Sequence, residues 1–540
     1  MILFSRGFRD KEKIDTFLKK ELKELLSHLY SPWLFEEMKK AVARIITAKE
    51  KKEKVLVYGD YDVDGISGTA VLVKVLRKLG IPVDFYIPHR LREGYGLSIN
   101  GIKYAKENGF SLLITNDTGI TAIDEVRFAQ ENHIDVIILD HHEPKEEIPD
   151  AFAIINPKLD RKYPFKELAG VGVVFKLIYA LIESLGHDPR ISYNYLDLVA
   201  LGTIADVVPL VDENRIITKV GLSLLKKGKN LGIKSLSLVA GIELSNISPY
   251  HVYFILGPRL NAGGRISDAI KGVRLLITES PEEALTISQE LERLNRRRRN
   301  IEDEILKEAR EKAKKLVEIE KRYVIVLGAK GWHEGVLGIV ASKLSEEFYR
   351  PSVVLSFKED LAKGSARSIE GFSIYEALKN CKEVLLSFGG HEGAAGLILN
   401  RNMVDEFERV INLYAMKLPK QIFVPKLKID AFVSLKDVTK ESFEVLKRFA
   451  PFGVGNPEPV FAVNGLEVVG YPRVIKDKHL KFTVRQDDYH IPVIAPDMAE
   501  LILSIETGKK EHIDIAFKVS EDNFWGKNQV ILEVKDIRLR

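Results

Sequence analysis

The chain reads as α/β: a doubly wound parallel sheet, a long connecting helix, a second α/β domain and a C-terminal all-β barrel. Three observations predict this order. Short apolar runs alternate with helix-length segments from Lys54 onward, a sustained helical periodicity begins at Ser280, and beyond Leu418 the apolar period changes to two. A length of 540 residues implies several domains, each able to bury its own core.

Composition bounds the function. With 45% hydrophobic and 29% charged residues and a formal net charge of +4, any basic surface for nucleic acid must be local. The single cysteine, Cys381, rules out an internal disulfide framework, fits a reducing compartment and reads as a small core residue. Met1-Ile-Leu-Phe-Ser-Arg lacks a basic region followed by a long apolar core. The longest apolar candidate, Leu168 to Ile182, is interrupted by Lys176. A soluble, cytoplasmic chain with no membrane partner is the expectation. Abundant Lys and Glu hint at a thermophilic source.

Residues 1–53 read as a helical arm of mixed charge on the first domain, which runs from 54 to 278. Its strands are Val55–Tyr58, Val83–Ile87, Leu112–Thr115, Val136–Leu139 and Ala153–Ile155. Such continuous apolar strands are buried on both faces, hence the parallel sheet. Ligands of such sheets gather at the carboxyl ends of the strands. There the first strand delivers Asp60-Tyr-Asp62-Val-Asp64-Gly65, the third Asn116-Asp117 and the fourth Asp140-His141-His142. Further on, Asp206 sits inside the apolar run Leu198–Val208, where an unpaired carboxylate is costly.

Asp-x-Asp-x-Asp-Gly also opens a calcium-binding EF-hand loop, but that loop needs a Glu at its twelfth position, and here Val71 stands there. A solvated acidic turn is the blander reading. Asp60, Asp62, Asp64, Asp117, His141 and Asp206 instead make an oxygen-rich set with one imidazole, which suits Mn²⁺ or Mg²⁺ better than zinc. Five carboxylates facing two divalent ions form a nearly balanced cluster, and two such ions are the usual clamp for in-line attack of water on phosphorus. Gly170-Val-Gly172 lacks the third glycine and the leading strand of a dinucleotide-binding loop.

From 279 to 321 the chain reads as one connecting helix. Ser280-Pro-Glu-Glu283 is an N-cap with a capping box, and apolar residues from Ile287 to Leu316 recur at helical spacing. Arg296-Arg-Arg-Arg299 is either a solvated face or a guide for a nucleic-acid strand. A second α/β domain follows over 322–417. Over 418–540, Leu480–Arg485 and Ile513–Val519 alternate as short strands, which suits an OB-fold barrel with a nucleic-acid surface. Lys481, Arg485, Phe524 and Trp525 are its candidate contacts, although barrel aromatics more often fill the core.

The ordered set Asp60–Gly65, Asp117, Asp140-His-His142 and Ala205-Asp206 resembles the four motifs of the DHH phosphoesterase superfamily. Pro88–Gly96, Leu168–Val173, Gly257–Arg265, Gly364–Ser368, Phe388–Gly396 and Pro451–Phe461 narrow the resemblance to its bacterial single-stranded-DNA exonucleases. One departure is Asn116, where a small apolar residue is expected. The resemblance implies a DHH domain, a DHHA1 domain over 322–417 and a C-terminal OB-fold. It implies hydrolysis of single-stranded DNA from the 5′ end to mononucleotides, in repair and recombination. Asp62, Asp64, Asp117, His141 and Asp206 then match metal-binding positions, with Asp60 a further member and His142 orienting the cluster or meeting phosphate. Arg90, Arg265, Ser365, Arg367 and His391 fall in segments that hold the 5′-terminal phosphate. A monomer working with a helicase and a single-strand-binding protein is implied as well. The rival readings are a superfamily phosphodiesterase of short oligonucleotides or cyclic dinucleotides, and a non-catalytic DNA-binding scaffold. The residues after Leu418 argue against the first, and the full set of ligand positions against the second.

Overall fold

A computed structural model describes residues 2–19, 21–507, 512–522 and 529–540. Five strands, β1 (Lys54–Gly59), β2 (Val83–Tyr86), β3 (Phe110–Asn116), β4 (Asp135–Leu139) and β5 (Ala153–Ile155), pair in parallel in the order β2-β1-β3-β4-β5. All five expected strands are present. Leu56 and Tyr58 face one core with Leu113, Val136 and Ile138, while Val55 and Val57 are equally buried on the other face. That two-sided burial is what the unbroken apolar runs encode.

Helix α1 (Val63–Lys78) follows β1, capped at its N-terminus by Asp62, whose carboxylate accepts from the amides of Asp64 and Gly65. Against it pack α2 (Gly170–Ser184) and α3 (Leu196–Ala205). Helix α4 (Gly257–Ile266) continues a five-residue π-helical turn, Val252–Leu256. Asp206, inside the apolar run, is the C-cap of the buried helix α3.

The connecting helix α5 (Pro281–Lys314) spans 34 residues, about 51 Å at 1.5 Å per residue. Ser280 caps it, accepting from the Glu283 amide at 3.2 Å. The expected reciprocal arm of the capping box is absent: the Glu283 carboxylate takes the Thr278 hydroxyl instead, and Thr278 serves the Ser280 amide. Ile305, Leu306, Ala309 and Ala313 of α5 pack with Trp332 and Val340 against the second sheet. That sheet, in the order β6-β7-β8-β10-β9, comprises β6 (Ile325–Lys330), β7 (Ser352–Lys358), β8 (Leu361–Arg367), β9 (Ser387–Gly390) and β10 (Ala394–Asn400). Helix α6 (Leu337–Phe348) lies on it, and Cys381 is buried in its other core, as expected.

The C-terminal region closes a barrel. Its strands β11 (Ala431–Phe432), β12 (Phe461–Ile475), β13 (His479–Gln486), β14 (Tyr489–Ala495), β15 (Ile513–Asp522) and β16 (Gln529–Leu539) run β11-β12-β13-β14-β16-β15, and β15 pairs back to β12. Closure of five strands with one parallel pair, β14 with β16, is the OB arrangement predicted from the alternation.

The chain folds as two compact units. One holds Ser31–Asp206 and Gly221–Lys426; the other holds Met1–Tyr30, Val207–Val220 and Leu427–Arg540. The N-terminal arm is thus divided, and its first thirty residues belong with the barrel, not with the first domain. The reason is apolar pairing: Leu3 and Phe17 bury themselves against Phe449. Beside them the buried Arg215 donates to the carbonyls of Phe17, Arg448, Phe449 and Ala450 at 2.8–3.2 Å. Among the described residues no helix is long and apolar enough to cross a membrane.

Candidate metal centre

The carboxyl edge of the first sheet gathers the acids that the sequence spaces far apart. Asp60 leaves β1 buried, and Asp62 and Asp64 open α1. Asp117 follows β3 in a left-handed conformation, φ +62°, its amide bonded to the Leu139 carbonyl. This backbone is uncommon outside glycine, asparagine and aspartate. His141 and His142 follow β4, and Asp206 arrives from the end of α3.

Their ligand atoms converge in three overlapping sets: Asp117 with His141 and His142, Asp64 with His141 and Asp206, and Asp60 with Asp62 and Asp117. His141 Nε2 lies 3.1 Å from Asp117 Oδ1, 3.6 Å from Asp206 Oδ2 and 4.0 Å from Asp64 Oδ2. Asp64 is fixed by the amides of Gly170 and Val171 at 2.7 and 2.9 Å. Only glycine fits at 170, where a Cβ would stand 2.8 Å from Asp64 Oδ2 and 2.9 Å from Asp117 Oδ1.

Four of these atoms, Asp60 Oδ1, Asp117 Oδ1, His141 Nε2 and Asp206 Oδ2, are buried without a hydrogen-bond partner. Crowded acceptors of this kind call for a cation. The protonation chemistry agrees. Burial pushes the Asp60, Asp117 and Asp206 carboxyls well up, with the neighbouring acids adding to it, and raises Asp64 to about 7. Burial, and then the adjacent His142, lowers His141 to about 3, leaving the neutral imidazole a ligand needs. Oxygen donors with one imidazole suit Mn²⁺ or Mg²⁺.

Asp140 and Tyr95 are the site residues that the sequence did not single out. The Asp140 carboxylate accepts from the amides of Ile120, His141 and His142 and meets His142 Nδ1 at 2.7 Å. Burial works against that charge, but the His142 bond holds Asp140 below the ordinary range and raises His142. The Tyr95 hydroxyl stands 3.2 Å from the His142 ring nitrogens, between Gly94 and Gly96, both at positive φ. Asn116, the departure from the motif, donates to the Gly65 carbonyl at 2.7 Å and so ties β3 to the start of α1.

A second group gathers guanidinium ions. Arg90 lies 5.0 Å over the Tyr61 ring, and Arg265 at the end of α4 donates to the Gly335 carbonyl at 3.3 Å. Burial, then Arg90, Arg298 and Arg367, holds Arg265 down to about 9, and burial with Arg90 lowers Arg367. Ser365 and Arg367 share β8, and a Cβ on Gly338 would meet both side chains. His391 accepts from the Gly393 amide at 3.2 Å; burial, then Arg367 and His142, lowers its pKa. Arg259 instead pairs with Glu292 at 2.7 Å. The Arg296–Arg299 run is partly committed too, with Arg296 on Glu292 and the buried Arg298 on Glu302. In the other unit, Lys481 lies on β13, and Arg485 pairs across the strands with Glu467. Phe524 and Trp525 lie outside the described residues.

Comparison with known proteins matches this layout. Residues 54–203 match the DHH family N-terminal domain, 321–417 the DHHA1 domain and 429–536 the RecJ OB domain. The single-stranded-DNA-specific exonuclease RecJ of Escherichia coli is 34% identical over 99% of this chain and 94% of its own. The chain belongs to the RecJ family. The Bacillus subtilis RecJ is 40% identical over 98% of this chain and 67% of its own. The crystal structure of Thermus thermophilus RecJ in complex with Mn²⁺ superposes with a TM-score of 0.84 at 31% identity, covering 99% of this chain and 75% of that one. A Mg²⁺ complex of the same RecJ gives 0.78.

Proposed function

We propose that this RecJ-family chain is a metal-dependent exonuclease that hydrolyses single-stranded DNA from its 5′ end to mononucleotides. The observation that carries the reading is the set of buried, partnerless acceptors at the carboxyl edge of the first sheet. Asp60, Asp62, Asp64, Asp117, His141 and Asp206 would hold two Mn²⁺ or Mg²⁺ ions, which supply activation of water and neutralisation of the leaving oxygen.

The chain's own residues do the rest. The amides of Gly170 and Val171 lock Asp64. Asp140 orients His142 and holds the proton on its imidazole Nδ1, so that the fixed ring faces the phosphate. Arg90, Arg265 and Arg367, with Ser365 and His391, form an anion pocket for a terminal phosphate, and guanidinium forks match phosphate oxygens. That pocket supports the 5′ polarity. The closed barrel, with Lys481 on its β13 face, supports long single strands as substrate over dinucleotides. A cytoplasmic monomer with a helicase and a single-strand-binding protein as partners, acting in repair and recombination, fits the same reading.

End-labelled single and double strands incubated with Mn²⁺, Mg²⁺ or chelator test it. Mononucleotide release from 5′-labelled single strands, abolished by chelator, is the expected result. Release from 3′-labelled ends only, or turnover in chelator, would refute the proposal.

A further inference from the structure

Three large aromatic side chains are exposed side by side on the helical turns, Pro249–Leu256, that lead into α4 and Arg265. Tyr250 is 61%, Tyr253 40% and Phe254 53% exposed. Their rings are 4.9 Å (Tyr250 to Phe254) and 4.5 Å (Tyr253 to Phe254) apart, and His251 adds its ring 5.8 Å from Tyr250. Contiguous exposed rings mark interaction sites. Tyr253 and Phe254 also lie in the π-helical turn Val252–Leu256, and such turns are frequent at functional sites.

The helix relates this patch to the metal centre. At its C-terminal end Gly264 abuts the acidic turn, since a Cβ there would stand 2.9 Å from the Tyr61 carbonyl oxygen. In its middle Gly257 sits beside Ala205, the residue before Asp206. Phe254 precedes Arg265 by eleven residues of continuous helix, π-helical up to Leu256 and α-helical beyond it, so the rings stand on the order of 15 Å before Arg265 along one axis. Tyr250, four residues before Phe254, is held beside it by the ring contact at 4.9 Å.

We propose that this aromatic turn is a stacking platform for bases a few nucleotides from the 5′ end of the strand being degraded. The inference rests on the nuclease reading: with the terminal phosphate at Arg265 and the scissile phosphate at the acidic cluster, the strand continues along the same helix to the rings. Aromatic faces accept any base, which suits an enzyme that advances one nucleotide at a time.

The test uses 5′-phosphorylated strands with a non-hydrolysable terminal linkage and 2-aminopurine at one position at a time. On the wild-type enzyme, quenching should be confined to a short window a few nucleotides from the 5′ end. The window should vanish in Tyr250→Ala/Phe254→Ala and in Phe254→Leu, which keeps apolar volume without a ring, and should survive in Phe254→Trp. Binding of strands that span the window should weaken about tenfold in the double variant while dinucleotide binding holds. A flat wild-type profile, or one unchanged in the variants, overturns the platform. So does an unchanged profile with an altered sedimentation coefficient, which would assign the patch to a second copy of the chain. Wild-type enzyme that shows the flat profile yet degrades the ordinary strand sinks only the platform; failure to degrade it sinks the nuclease reading itself.

Discussion

Asp206 Oδ2 and Asp117 Oδ1 are acceptors buried against other acceptors, and burial raises both carboxyls. Asp64, raised to about 7, behaves alike. A carboxyl whose folded pKa lies above its unfolded value contributes stability that is complete below the unfolded pKa and is lost as pH rises through the folded one. Without metal, the protein should therefore lose thermal stability as pH rises from about 4 through about 7, where Asp64 ionises, and Asp60, Asp117 and Asp206, raised in the same direction, add to the loss as they ionise. Mn²⁺ should restore more of it at pH 8 than at pH 5, because metal competes with protons for the same oxygens. Asp206→Asn should flatten the metal-free profile and shrink the Mn²⁺ effect. Calorimetry in chelator and in Mn²⁺ checks both, and a metal-free Tm independent of pH would contradict the geometry.

Catalysis and end recognition separate at single residues. Asp62→Ala and His141→Ala should each lower hydrolysis at least about a thousandfold while DNA binding persists, since both residues are metal-ligand candidates and neither belongs to the barrel segment. Arg265→Ala should reduce the preference for a phosphorylated over an unphosphorylated 5′ end by about tenfold or more, because a bidentate partner of the phosphate is gone. Competition between the two ends on one enzyme sample measures that ratio. An unchanged ratio would remove Arg265 from the pocket.

Among the elements, those whose partners are local in pattern were legible. Strands β1, β3 and β4 carry no charged residue within their apolar runs, since both faces are covered, and a two-sided strand can be read without knowing what covers it. The barrel was legible from alternation, and α5 from its period and the Ser280 cap. Asp140 was less so: a carboxylate that serves four donors looks, in sequence, like the first letter of the Asp-His-His run. The π-helical turn at Val252–Leu256 left no trace in the apolar period. Asn116 is an element-scale residue, for its side chain joins the end of β3 to the first turn of α1. Asn116→Ala would leave the Gly65 carbonyl without its donor in a buried place and cost about 1–3 kcal/mol. Denaturant melts of the metal-free protein would show the loss, and an unchanged midpoint would mean that the turn holds itself.

At the scale of the whole chain, the polypeptide passes between the two units after Tyr30, Asp206, Val220 and Lys426. No sequence window contains such an arrangement, because Phe17 and Phe449 meet across more than four hundred residues. It changes what a truncation means. Removing residues from 427 onward takes away the Arg448, Phe449 and Ala450 carbonyls that satisfy Arg215 and the ring that buries Phe17. A buried guanidinium left with the Phe17 carbonyl after losing the other three is strongly destabilising, by several kcal/mol. A chain ending near Leu418 should therefore melt earlier and bind a hydrophobic dye through residues 1–30 and 207–220, so that weaker DNA binding by it would not by itself assign the barrel to DNA. Lys481→Ala in the full-length chain makes the cleaner measurement. Its affinity for long single strands should fall and its salt dependence become shallower by about one counterion, with the Tm unchanged. A full-length Tm in the truncated chain would show that Met1–Tyr30 and Val207–Val220 do not depend on the barrel segment for their packing.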